Sequence, residues 1–320
     1  MDRRKCWLIL CLWSMLPAVV QAFPTKPIRM IVPVPPGGGA DFVARAYAAR
    51  LGEALGQQVV VDNRGGAAGI IAMEATAKAA ADGYTLIQTN VSTISINPYV
   101  YSKLPYDAHR GFSAVSITTL NPLVLVVHPA VAARSVPELI NLAKSSPGTV
   151  TYASLGSGSI QHLAGFMFGK AAGVNLIHVP YKGAAPATVD LLGGQVNAAF
   201  SGIGTVVAHV RAGRLRGLAT TGAKRISAYP DLPTMAESGG PEMQMLLWNG
   251  ILAPAGTPAA IVQRLSDEIN RIVRHSDLAQ VLATQGTSPV SNTPLEFTKF
   301  IKAEQEKFAR LVKETGIRLD

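Results

Sequence analysis

From Ile28 onward, short apolar runs alternate with longer segments of helical period, the pattern of an α/β protein whose buried strands are joined by helices. Ile28 to Val34 predicts a buried strand and Phe42 to Leu55 a helix. Gln58-Val59-Val60-Val61 predicts a second strand, Ile70 to Ala81 an alanine-rich helix, and Tyr84 to Gln88 a third strand. That third strand runs into a polar tip, Thr89-Asn90-Val91-Ser92-Thr93. Parallel strands present their carboxyl ends together, so these polar and glycine-rich tips are expected along one edge, bordering a cleft. Phe112 to Val127 is β-rich throughout, but longer than one strand needs and interrupted at Asn121-Pro122. Proline is disfavoured in a central ladder, so two strands are expected there, with the chain crossing to a second lobe near Pro122.

A fresh α/β series follows. Ser135-Val136-Pro137-Glu138 opens a helix to Lys144, Val150 to Ala153 is a strand, and Ile160 to Ala172 is a helix. Leu176 to Tyr181 and Val196 to Phe200 are strands on either side of a helix with Pro186 in its first turn. Leu215 to Thr220 is expected to carry the return crossing, and Leu246 to Ala253 to rejoin the first lobe. A helix from Thr257-Pro258 to about His275 and a terminal helix opened by Thr293-Pro294-Leu295-Glu296 complete the chain. The expected architecture has two α/β lobes joined by two crossings. Residues 23–121 with 223–320 form domain 1 and residues 122–222 form domain 2, with a polar cleft and a hinge between them.

Residues 1–22 stand outside this pattern. Asp2-Arg3-Arg4-Lys5, an apolar run from Cys6 to Val20 and the small-residue ending Val20-Gln21-Ala22 predict an export signal peptide, an uncleaved anchor being the alternative. Both cysteines, Cys6 and Cys11, fall in this leader, so the mature chain has no disulfide, thiol nucleophile or thiolate metal site. The net charge of +9 falls to +7 once Arg3, Arg4, Lys5 and Asp2 are set aside. The basic residues are scattered without interleaved aromatics, which argues against nucleic acid and fits the steering of anionic solutes.

The candidate chemistry lies in the turns. Pro33-Val34-Pro35-Pro36-Gly37-Gly38-Gly39-Ala40-Asp41 joins a strand to a helix, and its glycines allow close backbone approach beside an uncapped helix end. Such a place is either an anion cradle or simply a tight turn, with Asp41 expected as helix N-cap under both readings. Asp62 to Gly69 and Ser154-Leu155-Gly156-Ser157-Gly158-Ser159 repeat the device, the latter with added hydroxyls. Lys182-Gly183 and Ser201-Gly202 end two further strands. His162 lies three residues into the helix after one such turn and is either a ligand contact or a packing histidine. The six histidines have no metal-ligand spacing, and no zinc-protease, nucleophile-elbow or Walker sequence is present. No base can be assembled locally beside Ser157 or Ser159, so no catalytic residue, metal site or cofactor is expected. Backbone amides and hydroxyls converging on a cleft, with no acid–base pair, describe a binding site rather than a reaction site.

These residues resemble a known family. Pro35-Pro36-Gly37-Gly38-Gly39-Ala40-Asp41, Tyr152 to Leu163 and Val179-Pro180-Tyr181-Lys182-Gly183-Ala184-Ala185-Pro186-Ala187 are similar to the tripartite tricarboxylate transporter substrate-binding proteins, the Bug receptors. So are Gly193-Gly194-Gln195-Val196, Leu232-Pro233-Thr234 and Trp248 to Pro258. The resemblance implies a periplasmic, two-lobed binding protein of the type II fold, monomeric, closing on a small organic carboxylate and delivering it to membrane permease subunits. By position it implies contacts at Pro36, Gly37, Gly38 and Asp41 on one lobe, and at Ser157, Gly158, Ser159, Tyr181 and Gly183 on the other. Thr89, Asn90, Ser92 and Thr93 fall where specificity is expected to vary, and His162 and Ser201 complete the candidate set. Val34, Gly65 and Asn197 depart from the aromatic, proline and aspartate common in the family. A receptor presenting its ligand state to a membrane sensor kinase, or a periplasmic enzyme on the same fold, are the alternative readings.

Overall fold

The computed structural model describes residues 23–319 apart from residues 38, 227–228 and 285. The expected export leader and the expected ligand contact at Gly38 therefore lie outside the described residues. In chain order the elements begin β1 (Ile28–Val32), α1 (Gly39–Leu55), β2 (Val59–Asn63), α2 (Ile70–Ala77) and β3 (Thr85–Asn90). A π-helical turn, Ser92–Ile96, leads into α3 (Asn97–Val100) and then β4 (Phe112–Val127). Next come α4 (Val136–Ser145), β5 (Thr151–Ser154), α5 (Ile160–Ala172), β6 (Ile177–Pro180), α6 (Ala184–Leu192) and β7 (Ala198–Gly202). The chain ends with α7 (Ile203–Arg211), β8 (Arg216–Thr220), β9 (Leu246–Pro254), α8 (Ala259–His275), α9 (Leu278–Ala283) and α10 (Pro294–Thr315).

β1 lies between β2 and β3, parallel to both, with Met30 opposite Val61 and Leu86. Ile28, Met30, Ile31 and Val32 are fully buried, as a central parallel strand covered on both faces must be. β9 pairs antiparallel with β3 and with the first part of β4, from Phe112 to Pro122. The second part of β4, Leu123 to Val127, pairs antiparallel with β7 and β8, and parallel β5 and β6 complete that side.

β4 is thus one continuous strand where two were expected. Its change of partners falls between Pro122 and Leu123, so the missing proline N–H sits at the join of two sheets rather than inside one ladder. Irregularities between Ala114 and Ser116 and between Ile117 and Thr119 let so long a strand bend. The return crossing also differs from expectation. β8 remains in the second sheet, and the chain after it stays there too: Thr220 N donates to Pro233 O at 2.8 Å and Met235 N to Thr220 O at 2.9 Å. The first sheet is regained only at Leu246, opposite Pro122.

Three apolar clusters hold this frame. Tyr47 and Leu51 of α1 and Leu265 and Ile269 of α8 cover one face of the first sheet. Val126, Ala153, Leu191, Ile203 and Val206 cover a face of the second. The largest cluster runs from Ile31 and Ile87 across to Phe168 and Phe200, and takes in Phe297, Phe308 and Val312 of α10. α10 starts on the expected capping box: Thr293 accepts from the Glu296 N–H, and the Glu296 carboxylate accepts from Thr293 N at 2.7 Å.

Candidate ligand-binding site

The carboxyl ends of β1, β2 and β3 reach one edge of the first sheet, and those of β5, β6 and β7 one edge of the second. Between the two edges lies a cleft of about 690 Å³. Its first wall is built from Pro33, Val34, Gly39 and Ala40, from the turn Gly66, Ala68 and Gly69, and from Asn90 to Thr93. The facing wall is Leu155, Ser157 to Gln161, and Gly202 to Thr205. Asn121 of β4 and Leu247, Trp248 and Asn249 of β9 also line it. Among the described residues, no aspartate, glutamate, lysine, arginine or histidine lines the cleft.

Local hydrogen bonding fixes this shape. Asn90 Oδ1 accepts from Ser92 N at 3.0 Å and Thr93 N at 3.2 Å, which turns the chain sharply at the end of β3. The buried Thr89 hydroxyl pairs with that of Thr93 at 2.7 Å, so Thr89 supports the tip from behind and is not part of the wall. Asn97 Nδ2 donates to Ala68 O at 3.0 Å and ties this tip to the neighbouring turn. That turn holds two alanines at positive φ, Ala67 at 45° and Ala68 at 52°, a conformation that costs L-residues energy and survives where surrounding contacts enforce it.

Asp41 is not the N-cap. It is the third residue of α1, buried, and its carboxylate accepts from Gly37 N at 2.9 Å, Asn63 Nδ2 at 2.8 Å and Arg45 Nε at 3.0 Å. Burial pushes its pKa up, but Arg45, the Gly37 amide and Asn63 outweigh burial and leave it below the ordinary carboxylate range. Asp41 therefore stays ionised and ties down the β1–α1 loop. It does not line the cleft, and neither do exposed Pro36 and Gly37.

On the facing wall, two groups expected to meet a ligand are already engaged. Ser159 Oγ caps α5 by accepting from His162 N at 3.3 Å, and its proton goes to Gly156 O at 2.7 Å. Gly158 N donates to His162 Nδ1 at 3.2 Å. His162 stacks on His178 with ring centroids 3.7 Å apart and 6° between planes, behind the loop rather than in the cleft. Burial, and then the neighbouring His178, lower the His162 pKa to about 4, and burial lowers that of His178 as well. His178 Nε2 lies 2.6 Å from Ser154 Oγ. Ser154 is only 1% exposed and is also bonded to Gly156, so this serine–histidine pair braces the turn instead of meeting a substrate.

Of the candidates read from sequence, Asn90, Ser92, Thr93, Ser157, Gly158 and Ser159 line the cleft together. Tyr181 does not: its hydroxyl donates to Asp190 Oδ2 at 2.8 Å, and burial and Asp190 push its pKa up to about 12. Gly183 caps α6 away from the cleft. Ser201 lines a smaller pocket beneath the second sheet, one residue before cleft-lining Gly202. Sequence reasoning missed the start of α7, Asn121, Asn249 and Leu319. Only Ser201-Gly202 carried a signal for the first, and the others are brought in by strands and a terminus distant in sequence.

A family model described as "Tripartite tricarboxylate transporter family receptor" matches residues 43–317. Protein BugT of Bordetella pertussis is 40% identical over 304 residues, covering 95% of this chain and 93% of BugT. Among solved structures, the R. palustris protein Rpa4515 with adipate is 34% identical with a TM-score of 0.82, covering 92% of this chain and 99% of that one. MatC from Rhodopseudomonas palustris with bound malate is 29% identical with a TM-score of 0.77, covering 91% of this chain and 100% of that one.

Proposed function

The chain belongs to the tripartite tricarboxylate transporter receptor family, and from that premise we propose that it captures a small organic carboxylate in the periplasm and delivers it to a tripartite membrane permease. The observation that carries the reading is the chemistry of the cleft. Glycine-rich turns and helix starts from both sheets line it, together with hydroxyl and amide side chains, and among the described residues no charged side chain does. Fixed neutral donors suit a carboxylate: the positive ends of helix dipoles favour its charge, and a preformed wall lowers the ordering cost of binding. A receptor must also release its cargo, and a cleft without a buried counter-ion leaves no unpaired charge behind. Relatives with adipate and malate support the ligand class.

Closure is the natural motion of this frame. We place the hinge near Pro122, where β4 passes between the sheets, and Leu246, where β9 rejoins the first sheet; the first point lies at the expected limit of 121/122, whereas the return lies well beyond the expected 222/223. Titration calorimetry of the natively purified mature chain against adipate, malate and a wider carboxylate panel tests the reading. Binding of at least one carboxylate is expected. A correctly folded sample that binds none overturns it. Delivery is tested separately, by uptake of the identified ligand in cells carrying the permease with and without this receptor.

A further inference from the structure

Leu319, beyond the end of α10, forms part of the cleft wall. After α10 ends at Gly316, Arg318 Nη1 donates to Tyr99 O at 2.7 Å and Leu319 N to Val100 O at 2.7 Å. These bonds fasten the terminal segment to α3. The Leu319 side chain then reaches the β5–α5 loop of the second sheet: a Cβ placed on Gly158 would lie 2.7 Å from Leu319 Cδ1. Gly158 has φ +76°, a left-handed backbone that favours glycine, and the Leu319 methyl occupies the space beside it. Leu319 and Gly158 both line the cleft, as do the apolar Tyr101 and Leu155.

The two attachments differ in kind. The backbone of Leu319 is bonded to the first-sheet side, whereas only its isobutyl group meets the loop opposite. A side chain held in this way fills space between the walls without donating to a ligand. Its volume therefore sets how much room remains for the ligand's carbon skeleton when the walls approach. We propose that Leu319 is a specificity-determining residue, limiting the length of the carboxylate accepted; this rests on the carboxylate-receptor reading above.

The test compares mature wild type, Leu319→Ala and Leu319→Phe against succinate, adipate and suberate by titration calorimetry. One methylene in an apolar pocket discriminates by about tenfold or more, so Leu319→Ala is expected to shift the suberate-to-succinate affinity ratio upward by about tenfold. Leu319→Phe is expected to shift the ratio the other way. A purely structural role would change all affinities together and leave the ratio fixed. Unchanged ratios in both variants overturn the proposal while leaving the receptor reading intact. A folded wild type that binds no member of the wider carboxylate panel overturns both.

Discussion

A methyl group on Gly65 would sit 2.8 Å from Pro35 Cδ and 2.9 Å from Pro35 N. The obstacle includes backbone, so the β1–α1 loop must move to admit it, and that loop leads from cleft-lining Val34 to Gly39. Gly65→Ala is expected to weaken carboxylate binding by about tenfold, measured by calorimetry, because preorganisation of the wall is lost. Two residues along, the strain at Ala67 has the opposite use. Glycine adopts φ 45° freely, so Ala67→Gly is expected to raise unfolding free energy by about 1 kcal/mol in urea titration. Ser159→Ala removes the α5 cap and is expected to cost about 1 kcal/mol of stability. Because its proton is already given to Gly156 O, the same variant is expected to change carboxylate affinity far less than Gly65→Ala.

At the scale of elements, the stacked His162–His178 pair joins α5 to β6 and holds the 156–158 loop through Gly158 N and Ser154. A histidine whose folded pKa lies near 4, against 6.5 when unfolded, binds fewer protons in the native state. Its contribution to stability is complete above pH 6.5 and is lost as pH falls from 6.5 toward 4. Urea midpoints measured across that window are expected to fall with decreasing pH, and His162→Gln to flatten the slope. The window lies above the range in which Asp41, Asp62 and Asp107 titrate, since all three are held below the ordinary value of 3.8. For Asp62, Arg29 and Arg64 outweigh the opposing effect of burial; for Asp107, the His109 amide leads.

For the whole molecule, Trp248 is a convenient reporter. Of the three tryptophans, Trp7 and Trp13 lie in the expected leader, so Trp248 is the single one in residues 23–320. It lines the cleft, is 1% exposed, and its Nε1 donates to Glu304 Oε2 of α10 at 3.1 Å. Tryptophan emission of the mature chain is therefore expected to change on carboxylate addition and to saturate at the calorimetric stoichiometry. If closure accompanies binding, small-angle scattering should record a smaller radius of gyration at the same saturation point.

The sequence by itself determined what local rules determine. The alternation of apolar strands and capped helices predicted α5 to the residue and the capping box of α10, because caps and periodicity act within a few residues. It also brought out the glycine-rich turns, since only certain residues tolerate those backbones. The tertiary structure decided which groups in those turns are free. The Gly37 and Gly158 amides and the Ser159 hydroxyl looked available in sequence, yet Asp41, His162 and Gly156 take them. Likewise, Pro122 read as a break, but it falls where one strand passes from sheet to sheet. Hydrogen-bond partners and cleft walls are set by groups far apart along the chain, and only folding brings Leu319 against Gly158.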